Sequence, residues 1–131
     1  MATLKRFEEL EAWKAARELV KAIYDLAGSG ALRRDRVLRD QICRAAISIP
    51  SNIAEGFGRE SRAEFLQFLA IAKGSLAEVQ AQLYLALDQQ YLGAERFQAP
   101  QEQAGTTQRL IAGLMRYLKG STIRGQRYKA P

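Results

Sequence analysis

Histidine is absent from the 131 residues, and cysteine occurs once. The first absence removes the commonest general base and the commonest metal ligand together. It leaves Ser48, Ser51, Ser61 and Ser75 with no imidazole to activate them. The second excludes an internal disulfide. Cys43, beside Ile42 in a helical pattern, reads as a small core or interface hydrophobe. Proline is scarce, at 3, and no low-complexity run separates two modules. Apolar runs are only a few residues long, too short to span a bilayer. Behind Met1-Ala-Thr-Leu-Lys-Arg6 there is no apolar stretch of the kind a secretory signal carries, so a cytoplasmic protein is expected. No Glu-x-x-His repeat of the di-iron type is present, and the glycines match neither a phosphate loop nor a dinucleotide fingerprint. These absences lead to an expectation of no catalytic residue, no metal and no cofactor.

What is present is a repeated helical rhythm in a chain that is 47% hydrophobic, enough for one compact core. Leu10, Trp13, Ala16, Val20, Ile23, Tyr24 and Ala27 recur at three- and four-residue steps, predicting a helix from Phe7 or Glu8 to Ala27 that Gly28-Ser-Gly30 stops. A second helix is expected from about Arg36 to Gly56 through Leu38, Ile42, Ala45, Ala46, Ile49 and Ile53. Pro50 lies inside it, where a missing donor and a crowding ring predict a kink. Ser61 and Glu64 have capping-box spacing ahead of a long third helix, Phe65 to about Leu92. Gly74 interrupts that helix, and close helix packing is its expected reason. The fourth helix is diluted at its start by Pro100 and Gly105-Thr-Thr107, and is convincing only from Gln108 to Gly120. The expected architecture is all-α: an antiparallel up-and-down four-helix bundle over residues 1–119, with a basic, mobile tail at 120–131. The apolar faces, above all the Ala/Ile face of helix two, are wider than a monomer needs and suggest self-association.

The net charge of +6 is unevenly placed. Arg116, Lys119, Arg124, Arg127 and Lys129 close the chain with no acidic residue among them, and Arg33, Arg34, Arg36, Arg39 and Arg44 form a second concentration diluted by Asp35 and Asp40. Such clusters attract phosphate, though solvated edges look the same in sequence. Arg59 and Arg62 flank Ser61 at the head of helix three, where a phosphate could be held; pairing with Glu55, Glu60 or Glu64 is the alternative. Arg44, Ser48, Asn52 and Glu55, at steps of four, four and three, form a polar stripe. It reads as a hydrogen-bonded network between helices or subunits, with ligand contact as the second possibility.

Several segments carry a family resemblance: Phe7-Glu-Glu-Leu-Glu-Ala-Trp13, Gln41 to Gly56 with its Asn-Ile-Ala-Glu-Gly ending, Gly58-Arg-Glu-Ser61, Glu64 to Glu78 with Glu-Phe-Leu and Gly-Ser-Leu, and Tyr91-Leu92. Over Phe7 to Lys119 the chain resembles the bacterial four-helix bundle family called the 23S rRNA intervening sequence protein, or S23 ribosomal protein, family. The resemblance implies a bundle that assembles as a ring, a homopentamer, without established catalytic residues. It extends distantly to the accessory protein of diversity-generating retroelements, a basic pentameric barrel that works with a reverse transcriptase and nucleic acid. Two positions depart from the family pattern. Cys43 stands where a long residue is common, and the loop Gly28 to Arg34 lacks a frequent Phe-Pro pair. The expected function is therefore non-enzymatic: binding of structured RNA or DNA through Arg33, Arg34, Arg36, Arg59, Arg62, Lys119, Arg124, Arg127 and Lys129. The alternative is an assembly or adaptor protein for another protein such as a reverse transcriptase.

Overall fold

The computed structural model describes residues 3–120 and the pair 128–129. Four helices dominate it: α1 (Glu11–Ala27), α2 (Arg36–Gly58), α3 (Arg62–Asp88) and α4 (Ala94–Gly120). Each packs on the next and α4 returns to α1, which closes an antiparallel up-and-down bundle. The core is the set of apolar residues that repeat at three and four: Ala16, Leu19 and Ile23 from α1, Ile42, Ala46, Ile49 and Ile53 from α2, Phe65, Leu69, Leu76, Val79 and Leu83 from α3, and Ala104, Ile111 and Leu118 from α4, all fully buried. Among the described residues no helix is long and apolar enough to cross a membrane.

The helix boundaries depart from expectation for identifiable reasons. Phe7–Glu9 forms a tight 3-10 turn, and Leu10 is extended before α1 begins at Glu11. The Glu9 carboxylate accepts hydrogen bonds from the Lys5 and Arg6 amides, both at 2.9 Å, which curls the chain back instead of starting a regular first turn. Those two amides also hold the Glu9 carboxyl below the usual glutamate range. The second helix runs without a break through Pro50 as far as Gly58. The third ends at Asp88, short of the expected Leu92: Gln90 takes a left-handed φ of 63°, and the Tyr91 amide bonds back to the Ala86 carbonyl at 3.0 Å.

The fourth helix is corrected most. It starts at Ala94, and polar residues in its first half direct their side chains to carbonyls of the bundle. Gln101 Nε2 donates to the Gln80 carbonyl at 3.0 Å and Gln103 Nε2 to the Ala15 carbonyl at 2.9 Å, tying α4 to α3 and α1. The buried Thr107 hydroxyl donates to Gln103 O at 2.9 Å, and Pro100 is itself buried. Polar core contacts of this kind do not register as helical apolar periodicity.

Gly74 is also corrected. A methyl group there would meet nothing within 4 Å, so close packing inside the subunit is not what it serves. The glycine that does serve packing is Gly56, whose added Cβ would lie 2.7 Å from Phe68 Cβ and 3.0 Å from Phe65 Cδ1. At the chain ends, β1 (Thr3–Leu4) pairs antiparallel with β2 (Tyr128–Lys129), Thr3 opposite Lys129 and Leu4 opposite Tyr128. Of the expected tail, Arg124 and Arg127 lie outside the described residues.

Candidate nucleic-acid interface

The bundle separates the candidate arginines into two poles. Arg36 opens α2 and Arg59 follows its last residue, and 23 helical residues place them about 34 Å apart. Arg33 and Arg34 sit beside Arg36, in a 3-10 turn (Leu32–Arg34) anchored by the fully buried Leu32. Arg62, at the start of α3, and Lys119, near the end of α4, belong with Arg59 at the opposite pole.

At the first pole, two connections meet. Asp35 caps α2 by accepting from Leu38 N at 3.0 Å, and its second oxygen accepts from the Tyr91 hydroxyl at 2.9 Å, joining the α1–α2 loop to the α3–α4 loop. The Leu38 amide first, and then the Tyr91 hydroxyl, hold the Asp35 carboxyl below the usual range, while the same contact raises the Tyr91 phenol. Arg39 Nη1 donates to the Arg33 carbonyl at 2.9 Å, and its Nε pairs with Asp40 at 3.0 Å. Arg96 reaches from α4 to Ser29 Oγ at 3.0 Å. Arg33, Arg34 and Arg36 are exposed, and none of them joins an ion pair among the described residues. Sequence reasoning missed Tyr91, Arg96 and the anchoring role of Asp35, because contacts between distant loops leave no periodic signal.

The second pole is more self-satisfied. Arg59 lies 3.0 Å from Glu55 and 3.5 Å from Glu64, with its guanidinium 5.1 Å from the Phe68 ring centroid. Ser61 caps α3 by accepting from Glu64 N at 3.3 Å, but the Glu64 carboxylate turns toward Arg59. A phosphate at the head of α3 would have to displace carboxylates from Arg59. An apolar cleft lined by Leu4, Leu10, Leu110 and Leu114 opens at the same pole, with Glu9 and Glu11 on its walls, an arrangement that repels anions.

The polar stripe of α2 divides. Asn52 Nδ2 donates to the Ser48 carbonyl at 2.8 Å and to Ser48 Oγ at 2.9 Å, and Ser75 Oγ lies 2.9 Å from Ser48 Oγ. The middle of the stripe is thus a hydrogen-bonded seam between α2 and α3. Glu55 pairs with Arg59 on its own side of the bundle, and Arg44 is exposed. Large apolar side chains are exposed on these two helices: Val37 and Ile47 on α2, Ile71 and Leu85 on α3, with Gly74 exposed between the last two in sequence. Shallow hollows run along α2 here, lined by Arg36, Val37, Asp40, Gln41 and Arg44 and then by Asp40, Cys43, Arg44 and Ile47. Burial, and then Asp40, push the half-buried Cys43 thiol up, which disfavours a reactive thiolate. Trp13 packs against the core, edge-on to Phe7 at 5.1 Å and under Arg17 at 5.5 Å. No group of three or more His, Cys, Asp or Glu among the described residues is placed to hold a metal ion.

Comparison with known proteins places this bundle. A solved structure of a protein of unknown function from the S23 ribosomal protein family of Bacteroides thetaiotaomicron has the same fold, with a TM-score of 0.72 and 23% identity over 79% of this chain and 97% of that one. A search of curated proteins finds no match. The family model of the 23S rRNA-intervening sequence protein matches residues 8–113, which takes in α1, α2, α3 and most of α4. The chain belongs to the 23S rRNA-intervening sequence protein family.

Proposed function

We propose that this chain is a non-enzymatic, self-associating four-helix bundle that binds structured RNA or DNA through its basic poles. The observation that carries the proposal is the set Arg33, Arg34 and Arg36: exposed, on an anchored loop and the first residue of α2, and without an ion pair among the described residues. Guanidinium groups without internal partners are suited to phosphate, since no existing bond has to break first. Arg62 and Lys119 supply a second, weaker point of attachment.

Self-association is supported by the outer surfaces of α2 and α3, where Val37, Ile47, Ile71 and Leu85 are between 42% and 77% exposed. Exposed apolar side chains on helices that also carry an exposed glycine suit a close helix-to-helix contact, and a second copy of this chain is the proposed occupant. A ring of five, which the family resemblance implies, would repeat each basic pole around its rim and multiply weak phosphate contacts. Fluorescence anisotropy with duplex RNA and duplex DNA over a salt series, together with light scattering for mass, tests both halves. A steep salt dependence and a mass of several subunits are expected. If a nuclease-treated pull-down instead recovers one defined protein on the α2/α3 face and neither duplex binds, the adaptor reading replaces this one.

A further inference from the structure

The α1–α2 loop and the first residue of α2 read Arg33-Arg34-Asp35-Arg36, an acid set among three guanidinium groups. A carboxylate so placed would ordinarily neutralise one of its neighbours. Here both of its oxygens are engaged elsewhere: Oδ1 accepts from the Leu38 amide at 3.0 Å and Oδ2 from the Tyr91 hydroxyl at 2.9 Å. The charge of Asp35 is turned toward the N-terminus of α2, where the helix dipole favours it. The next carboxylate along, Asp40, is held by Arg39, which also clamps the turn through the Arg33 carbonyl.

Tyr91 is itself fixed. The left-handed Gln90 turns the chain at the end of α3, the Tyr91 amide bonds to Ala86 O at 3.0 Å, and the neighbouring Leu92 is buried. A second brace, Arg96 to Ser29 at 3.0 Å, holds the same loop from α4. The loop backbone is thus anchored from three directions while the three guanidinium groups face solvent.

We infer that Tyr91 is a positioning residue for phosphate recognition: by holding the Asp35 carboxylate against α2, it keeps Arg33, Arg34 and Arg36 free to meet a phosphodiester backbone. This rests on the nucleic-acid reading above and adds to it a residue that carries no charge and touches no ligand. Without the hydroxyl, Asp35 Oδ2 turns to the nearest guanidinium, and one phosphate contact is lost.

The test uses the full chain as wild type, Tyr91→Phe, Asp35→Asn and the double variant. Each is titrated by fluorescence anisotropy with a duplex RNA and a duplex DNA of one sequence, from low to physiological salt. Thermal melts check that each variant folds. Each phosphate contact contributes about 0.9 to the slope of log affinity against log salt. Tyr91→Phe is expected to weaken binding several-fold and to flatten the slope by about 0.9, although it removes no charge. Asp35→Asn is expected to keep the wild-type slope, and Tyr91→Phe added to Asp35→Asn is expected to flatten nothing further.

Three results overturn the inference: a Tyr91→Phe protein that binds as wild type does, an equal loss in both backgrounds, or an Asp35→Asn slope steeper by about 0.9, which would mean that the carboxylate neutralises an arginine in the native loop. Asp35→Asn alone decides the matter if Tyr91→Phe does not fold. Equal losses on RNA and DNA support the phosphodiester as the ligand, and a loss on one duplex only overturns that assignment. If wild type binds neither duplex, the nucleic-acid reading fails and this inference with it. A failure confined to the variants leaves that reading standing.

Discussion

Two alanine substitutions at helical glycines are expected to have opposite signs, and the structure sets both. In an ordinary helix interior, glycine to alanine gains about 1 kcal/mol. At Gly56 the new methyl would sit 2.7 Å from Phe68 Cβ and 3.0 Å from Phe65 Cδ1. The first atom is fixed by its own backbone, and the second belongs to a fully buried ring that cannot swing away. Relief therefore requires α2 and α3 to part by several tenths of an ångström, and overpacking of this kind costs about 1–3 kcal/mol. With the clash near the severe end, Gly56→Ala is expected to lose about 1–2 kcal/mol net. That corresponds to about 3–5 °C in Tm per kcal/mol for a domain of this size. At Gly74 the methyl meets nothing within 4 Å, so the subunit gains the full helical increment. If a second copy packs over Ile71 and Gly74, the same methyl holds it off, and assembly weakens while the subunit stabilises. Urea titrations followed by far-UV circular dichroism measure the first pair of effects, and light scattering across a dilution series measures the last. A Gly56→Ala midpoint equal to or above wild type would refute the packing argument. Unchanged assembly in Gly74→Ala would remove that glycine from the proposed contact.

Other outcomes follow from the same contacts. Ser48→Ala strands the buried Ser75 hydroxyl and leaves Asn52 Nδ2 only the backbone carbonyl at position 48, and is expected to cost about 1–3 kcal/mol in urea titrations, more than Ser75→Ala. Asp35 has a folded pKa below its ordinary 3.8, so its contribution is complete above that value and is lost as pH falls through the folded one. Stability measured against pH is therefore expected to drop below pH 3.8, by less in Asp35→Asn. Tyr91 is raised above 10.0, so its contribution is complete below that pH and is lost on further alkalinisation, a step that Tyr91→Phe removes. Arg34→Gln is expected to flatten the salt slope of duplex binding by about 0.9, and Arg59→Gln by less because Glu55 and Glu64 already hold that guanidinium.

The architecture was legible because the core is built from apolar residues at helical spacing. Ile42, Ala46, Ile49 and Ile53 announce the buried side of α2, and Phe65, Leu69, Leu76, Val79 and Leu83 that of α3. Helix ends were less so, since they depend on single hydrogen bonds. Glu9 curling back on two amides delays α1, and the left-handed Gln90 cuts α3 short. The first half of α4 was hidden because Gln101, Gln103 and Thr107 bury their polar ends against carbonyls. The candidate arginines were readable as a list but not as two poles: residues that share a charge in sequence are divided by the length of α2. Ser48, Asn52 and Ser75 show the converse, a stripe half-seen on one helix and completed from another.

The account is tested most directly by the affinity of the wild-type protein for duplex RNA and duplex DNA measured across a salt series. Attachment through several exposed arginines predicts binding that tightens sharply as salt falls, by about 0.9 in log slope for every phosphate engaged. Binding that ignores salt, or no binding at the lowest salt, would contradict it.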